Sequence, residues 1–315
     1  MMIPPVKNII MWAMTYRCNM SCKYCFLRNK VRRWDELTDE ECLALAEKIA
    51  RDTSWKPDAV WLTGGEPTVK PCLPEIIRIF ESNGIRCVVT TNGLCSDQYL
   101  SDLLSARPRG INISLESDDD SVNSESRGRT ADVIAAIKKI AEQKSTDTIL
   151  GVSSVISPKN IDAVSDWAKQ LRQLGVDYLS LNPLMGEGCT YTAEDFASIT
   201  RFRDAITASG GLKLPNEFYF ELIEDYFLSK HQIRIPCPAG KQFMFIAPWG
   251  DVYPCSNEMW QASEGIDART LPCLSDVFAH LACKFHTDAL TTVSPCFGER
   301  CIGCWKLYYD SVFTT

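Results

Sequence analysis

The chain has 315 residues, 45% hydrophobic and 10% aromatic, with 33 Lys and Arg against 40 Asp and Glu for a net charge of −7. That length suffices for one large domain and a small one. Net negative charge without a Lys/Arg block argues against nucleic acid as a partner, and no apolar run reaches the roughly 18 residues of a membrane helix. Fifteen cysteines, an odd number in so long a chain, do not read as the disulfide framework of a small secreted domain. The first residues, MMIPPVKNII, lack a basic start, a long apolar core and a small-residue cleavage site, so a cytoplasmic location is expected.

Along the chain, short β-rich runs alternate with amphipathic helical patterns. A strand over Ile9 to Met14 runs directly into TYRCNMSCKYCFLR, and LTDEECLALAEKIARD follows as a helix with Thr38 or Asp39 as N-cap. Next come strand Ala59 to Thr63 and helix LPEIIRIFESNG, then strand Ile85 to Thr91 and helix SDQYLSDLLS. Strand Gly110 to Glu116 precedes TADVIAAIKKIAEQ, strand Thr148 to Ile156 precedes IDAVSDWAKQLRQLG, and strand Asp177 to Asn182 precedes AEDFASITRFRDAITASGG. Gly84 and Gly175 stand where two of these helices should stop. Six βα repeats with right-handed crossovers predict an α/β fold, a partial (β/α)6 TIM-like barrel over residues 1–225. Reactive groups in such a sheet gather in the loops after the strand C-termini.

Cys18, Cys22 and Cys25 occupy the loop after the first strand with spacing C-x3-C-x2-C. Zinc prefers four Cys or His ligands, and a group of three with no His in the run is a poor tetrahedral site. A 4Fe-4S cluster takes one sulfur ligand per iron, so three thiolates leave one iron open to an outside ligand. The loops after the second, third and fourth strands are Thr63-Gly64-Gly65-Glu66-Pro67, Thr91-Asn92-Gly93 and Ser114-Leu115-Glu116. Paired glycines allow close backbone approach to a ligand, and Glu66 can accept hydrogen bonds from an amine. Taken singly, GGEP and TNG also read as tight turns.

C-x3-C-x2-C with Tyr24 before its last cysteine, GGEP, TNG and ISLES, in this order over residues 7–190, together resemble the radical S-adenosylmethionine (SAM) enzyme superfamily. The resemblance implies that Cys18, Cys22 and Cys25 hold a 4Fe-4S cluster whose open iron binds the amino and carboxylate groups of SAM. It implies that Gly64, Gly65 and Glu66 hold the methionine amino group, that Ser114 lies on a strand whose end faces SAM, and that Arg127 contacts the SAM carboxylate. Tyr24, Thr91 and Asn92 lie in the matched motifs as further cofactor-binding candidates. Arg127 with Arg129 also reads as a pair of solvated residues before a helix. The implied chemistry is reductive cleavage of SAM to methionine and a 5'-deoxyadenosyl radical that abstracts a substrate hydrogen, with a flavodoxin- or ferredoxin-type reductant as electron source.

A second cysteine set begins where the βα pattern stops. CPAGKQFMFIAPWGDVYPC places Cys237 and Cys255 on either side of a predicted β-hairpin turning at Pro248-Trp249-Gly250. CFGERCIGCWKLYYD supplies Cys301 and Cys304 at the start of a predicted helix. Residues 226–315 resemble the twitch module, related to the SPASM domain, with Trp249 in place of the more usual Asp. By that resemblance Cys237, Cys255, Cys301 and Cys304 hold an auxiliary 4Fe-4S cluster. Zinc is the rival metal for such a set, and Cys296 is an alternative ligand. Cys42, Cys72 and Cys87 read as small buried residues, whereas Cys95 and Cys189 lie in loops on the presumed active-site edge.

An auxiliary cluster with all its irons held by protein thiolates suits electron relay, and the expected reaction is then a two-electron oxidation. Glu187, in LMGEGC, is a candidate general base, and Cys189 a candidate catalytic thiol. A small-molecule substrate is the first reading and maturation of a ribosomally made peptide the alternative. A GTP cyclase-like activity and a non-enzymatic iron-sulfur electron-transfer or binding role are the remaining alternatives.

Overall fold

The computed structural model describes residues 7–25, 27, 35–124, 126–184, 189–228, 238–261 and 264–285. The chain order is β1 (Ile9–Thr15), α1 (Asp39–Arg51), β2 (Ala59–Gly64), α2 (Leu73–Ser82), β3 (Arg86–Thr91), α3 (Asp97–Ser105), β4 (Gly110–Ser114), α4 (Asp120–Ser124), α5 (Thr130–Gln143), β5 (Ile149–Ile156), α6 (Ile161–Leu171) and β6 (Tyr178–Pro183). There follow α7 (Ala193–Ser209), α8 (Glu217–Leu228), β7 (Phe243–Ile246), β8 (Asp251–Tyr253), α9 (Ser256–Gln261), β9 (Ile266–Asp267) and α10 (Leu274–Phe285). All six predicted strands and the helices paired with them are present.

Adjacent strands β1 to β6 pair in parallel in sequence order, as βαβ crossovers dictate. The sheet is an unclosed barrel, with β6 at one edge and β9 at the other. It is covered by helices on its outer side, so β4 is buried at every position. Local chemistry agrees with the helix ends. Thr38 Oγ1 accepts from the Glu41 amide while the Glu41 carboxylate accepts from the Thr38 amide, a reciprocal cap on α1.

The predicted hairpin exists as β7 and β8, but it is not set apart from the barrel. β7 lies parallel to β1, with Ile9 paired to Ala59 on one side and to Phe243 on the other. The expected division between residues 225 and 226 falls inside α8. Among the described residues, no helix is long and apolar enough to cross a membrane.

Candidate functional site: a cysteine loop clamped by three strand ends

Cys18, Cys22 and Cys25 leave the C-terminal end of β1 in a loop held by its neighbours on both flanks. On one flank, the Gly65 amide donates to the Thr15 carbonyl at 2.7 Å and the Glu66 amide to the Arg17 carbonyl at 2.9 Å, extending the β1–β2 ladder to the residue before Cys18. The paired glycines have a steric cause here. A Cβ at Gly64 would lie 2.3 Å from the Thr15 carbonyl oxygen, and one at Gly65 would lie 2.4 Å from that of Arg17 and 2.8 Å from that of Tyr16. Gly64 and Gly65 thus admit the entry to the cysteine loop itself, in addition to any approach they allow a ligand.

Glu66 is buried and its carboxylate joins two loops. Oε1 accepts from the Thr68 amide at 3.0 Å, the Thr68 hydroxyl at 2.7 Å and the Thr91 hydroxyl at 2.6 Å, and Oε2 accepts from the Asn92 amide at 2.7 Å. Burial pushes this carboxyl above its ordinary range, against the bonds from Asn92, Thr91 and Thr68 that favour the ionised form. Asn92 in turn donates its side-chain amide to Asn19 Oδ1 at 2.7 Å, and Asn19 Nδ2 donates to the Leu94 carbonyl at 2.7 Å. Asn19 therefore links the cysteine loop to the turn after β3, a role that a lone Asn between cysteines gives no sequence signal for.

On the other flank, the Lys23 amide donates to the Ser126 carbonyl at 2.8 Å. Tyr24 Oη donates to Glu116 at 2.7 Å, and the Arg127 guanidinium lies 5.2 Å from the Tyr24 ring centroid. The turn carrying Arg127 is gathered by the carbonyl of buried Asn123, which accepts from the amides of Ser126, Arg127 and Gly128 at 2.9, 2.7 and 2.7 Å. Positive φ at Gly128 and Arg129 then swings the chain into α5. Arg127 is no solvated surface residue, since its side chain is 14% exposed and paired with fully buried Glu116.

Ser114 sits in one register row with Ser153 and Ser180. Its neighbour Ile113 points the opposite way, toward Gly93 and Ala136 of α5, so the serine row faces the barrel interior. Asn182 completes this polar arc, donating to Ser153 Oγ at 2.8 Å and Ser180 Oγ at 3.3 Å.

The donor set fits an iron-sulfur centre. Burial raises the Cys18 thiol, and the charges of Cys22 and Cys25 push it further in the same direction. Burial likewise raises Cys22, with Arg127 opposing. Three cysteine sulfurs in one loop, itself bonded on one flank to the β2 end and on the other to the turn bearing Arg127, offer one ligand to each of three irons and leave the fourth open. Among the described residues, no group of three His, Cys, Asp or Glu side chains is arranged around a single ion; a cluster offers each thiolate its own iron.

Cys189 is not part of this assembly. It is half-buried in the loop before α7, its thiol is raised by burial, and its bonding partner is Tyr191, with Asp195 and Lys159 as the charges that act on it. Cys255 is buried at the end of β8. Glu187, Cys237, Cys301 and Cys304 lie outside the described residues. Cys42, Cys72 and Cys87 are buried as expected, and burial pushes the Cys95 thiol up to about 11.

A family model described as the radical SAM superfamily matches residues 12–163. Over 157 residues the chain is 28% identical to Fe-coproporphyrin III synthase of Methanosarcina barkeri, covering 49% of this chain and 38% of that protein. Over 252 residues it is 26% identical to mycofactocin maturase MftC of Mycobacterium ulcerans, covering 78% and 67%. The chain thus spans about two fifths to two thirds of the length of these curated relatives. The crystal structure of Streptococcus suis SuiB bound to its precursor peptide SuiA shares the fold, with a TM-score of 0.69 at 16% identity over 98% of this chain and 76% of that one. Residues 12–163, from β1 into α6, thus match a radical SAM superfamily domain.

Proposed function

We propose that this chain is a radical SAM enzyme that oxidises its substrate by two electrons, and that the substrate is a ribosomally made peptide. The observation that carries the first part is the three-cysteine loop, clamped between the Glu66 network and the Glu116–Arg127 pair. Bound there, a 4Fe-4S cluster would supply an electron and an open iron for the reductive cleavage of SAM, and an auxiliary cluster would supply an acceptor for the substrate's second electron.

The protein's own residues bind, orient and exclude. Cys18, Cys22 and Cys25 hold the cluster, the Gly64–Glu66 turn takes the methionine amino group, and Arg127 takes the carboxylate as a charge-assisted pair. Tyr24, Thr91 and Asn92 fix the loops around that pocket, and Ser114 offers a hydroxyl from the inner wall. Cys237, Cys255, Cys301 and Cys304 hold the auxiliary cluster in the part after residue 225, and Glu187 is the candidate for removing the substrate proton. A reducing cytoplasm suits so many thiols.

The peptide reading is supported by similarity to a mycofactocin maturase and by the fold shared with SuiB, which was crystallised with its precursor peptide. Oxidation of a small molecule remains the second reading, favoured by the Fe-coproporphyrin III synthase match.

Iron and sulfide analysis with Mössbauer spectra on anaerobically reconstituted protein tests the cofactor assignment, alongside dithionite-driven formation of 5'-deoxyadenosine from SAM. About eight irons per chain with deoxyadenosine formation are expected. About four irons with zinc in the second site would remove the auxiliary cluster and the oxidation assigned to it. Cys22→Ala should abolish SAM cleavage, whereas Cys304→Ala should retain cleavage and lose turnover. A peptide substrate is expected to emerge lighter by two hydrogens in mass spectra.

A further inference from the structure

Glu116 lies just beyond the end of β4, fully buried, and its carboxylate has no capacity left for a ligand. Oε1 accepts from Tyr24 Oη at 2.7 Å, Arg127 Nε at 2.9 Å and the Val155 amide at 3.3 Å. Oε2 accepts from Ser126 Oγ at 3.0 Å and Arg127 Nε at 3.1 Å. A carboxylate offers about four acceptor sites, and these five contacts saturate it. Its task is therefore to hold other groups, and the group it holds most firmly is Arg127.

The manner of holding matters. Glu116 takes Arg127 through Nε alone, and among the described residues neither Nη group donates a hydrogen bond. A guanidinium is a rigid planar fork, so fixing Nε at two oxygens while Tyr24 lies against the cation sets the direction of both Nη groups. Those groups form the end of the fork suited to a second carboxylate.

We infer that Glu116 is a positioning residue that locks Arg127 with its Nη groups directed at the carboxylate of SAM, and so supplies the enzyme's discrimination for that carboxylate. The inference rests on the proposed reading in which Arg127 takes the SAM carboxylate. Glu116 exerts two effects of opposite sign on that contact. Its charge partly cancels that of Arg127 and weakens the attraction, while its geometry removes the freedom of a long side chain and strengthens it. The saturated, bifurcated hold on Nε makes the second effect the larger one.

The test compares dissociation constants of cluster-loaded wild type, Glu116→Gln, Glu116→Asp, Arg127→Ala and the Glu116→Gln/Arg127→Ala double variant for SAM and for decarboxylated SAM. Glu116→Gln removes the charge at nearly constant shape, and Glu116→Asp keeps the charge while withdrawing the oxygens. A lock predicts that both weaken SAM about tenfold, the scale of a hydrogen bond to a charged group. It also predicts that decarboxylated SAM binds all variants about equally, and that Glu116→Gln costs nothing further once Arg127 is gone. Tighter or unchanged SAM binding by Glu116→Gln would show that charge prevails and overturn the inference. Equal loss for both ligands would overturn it too, by showing only a general structural role. If Glu116→Gln fails to load a cluster, Glu116→Asp, which keeps the buried ion pair, carries the same comparison. Unchanged SAM affinity in Arg127→Ala would instead overturn the assignment of Arg127.

Discussion

The amide of Lys23, in the middle of the cysteine loop, donates to the carbonyl of Ser126 at 2.8 Å, so the ligand loop and the turn bearing Arg127 share a backbone bond across more than a hundred residues. Lys23→Pro deletes that donor and leaves the carbonyl unpaired, while Lys23→Ala keeps it. A net hydrogen bond of about 1 kcal/mol corresponds to roughly fivefold in an opening equilibrium. Lys23→Pro should therefore lose iron to a chelator several-fold faster than wild type, and Lys23→Ala should match wild type. Equal rates for the two variants would remove this bond from the account of loop stability.

Gly65 and Gly128 separate steric from conformational demands. Gly65 has ordinary φ, and an added methyl group would strike the backbone carbonyls of Arg17 and Tyr16, which have no flexible end to move aside. Gly128 has φ of +78° and nothing within 4 Å of an added Cβ. Gly65→Ala should cost about 3 kcal/mol, the upper range for overpacking, and Gly128→Ala about 1 kcal/mol for left-handed backbone. Urea unfolding of the two variants checks the order; a smaller loss at Gly65 would show that the β1 and β2 loop ends can separate.

The parts legible in the sequence were those that local chemistry fixes. Strand positions followed from β-rich runs, and Thr38 or Asp39 as N-cap marked the start of α1. Helix α8 was not read from the sequence although its signal is there: Glu217, Glu221, Glu224 and Asp225 recur at helical spacing on the exposed face, with Phe218, Tyr219, Phe220, Leu222, Ile223 and Tyr226 buried between them. Turn chemistry announced β7 and β8 but not the edge they join, since pairing of Phe243 with Ile9 depends on contacts far apart in the chain. The same limit applied at the site. Cysteine spacing was legible; that Glu116 is buried and saturated, or that Asn19 reaches Asn92 and Leu94, depends on loops from different strands meeting.

One such meeting fixes α10 to the barrel and gives it a pH dependence of known sign. The first amide of α10, at Leu274, donates to Asp52 Oδ2 at 2.6 Å, so a residue just after α1 caps a helix 222 positions further on. Asp52 Oδ1 accepts from the Ser54 amide at 2.7 Å, the Ser54 hydroxyl at 2.6 Å and the Trp55 amide at 3.3 Å, and the Trp55 ring lies 4.6 Å from that of Phe278 in α10. Partial burial pulls the Asp52 carboxyl up, but the bonds from Ser54, Leu274 and Trp55 outweigh it and hold it below its ordinary value. With the folded value depressed, the stabilisation is present above the unfolded value near pH 4 and is lost as pH falls through the folded one. Solvent access to the carboxylate keeps the effect at the modest end of helix capping, about 1 kcal/mol. Urea unfolding should then show Asp52→Ala less stable than wild type by about that amount at neutral pH, with the gap narrowing as pH falls below about 4. A gap that stays constant across that range would mean that Asp52 holds α10 by shape alone, with no contribution from its charge.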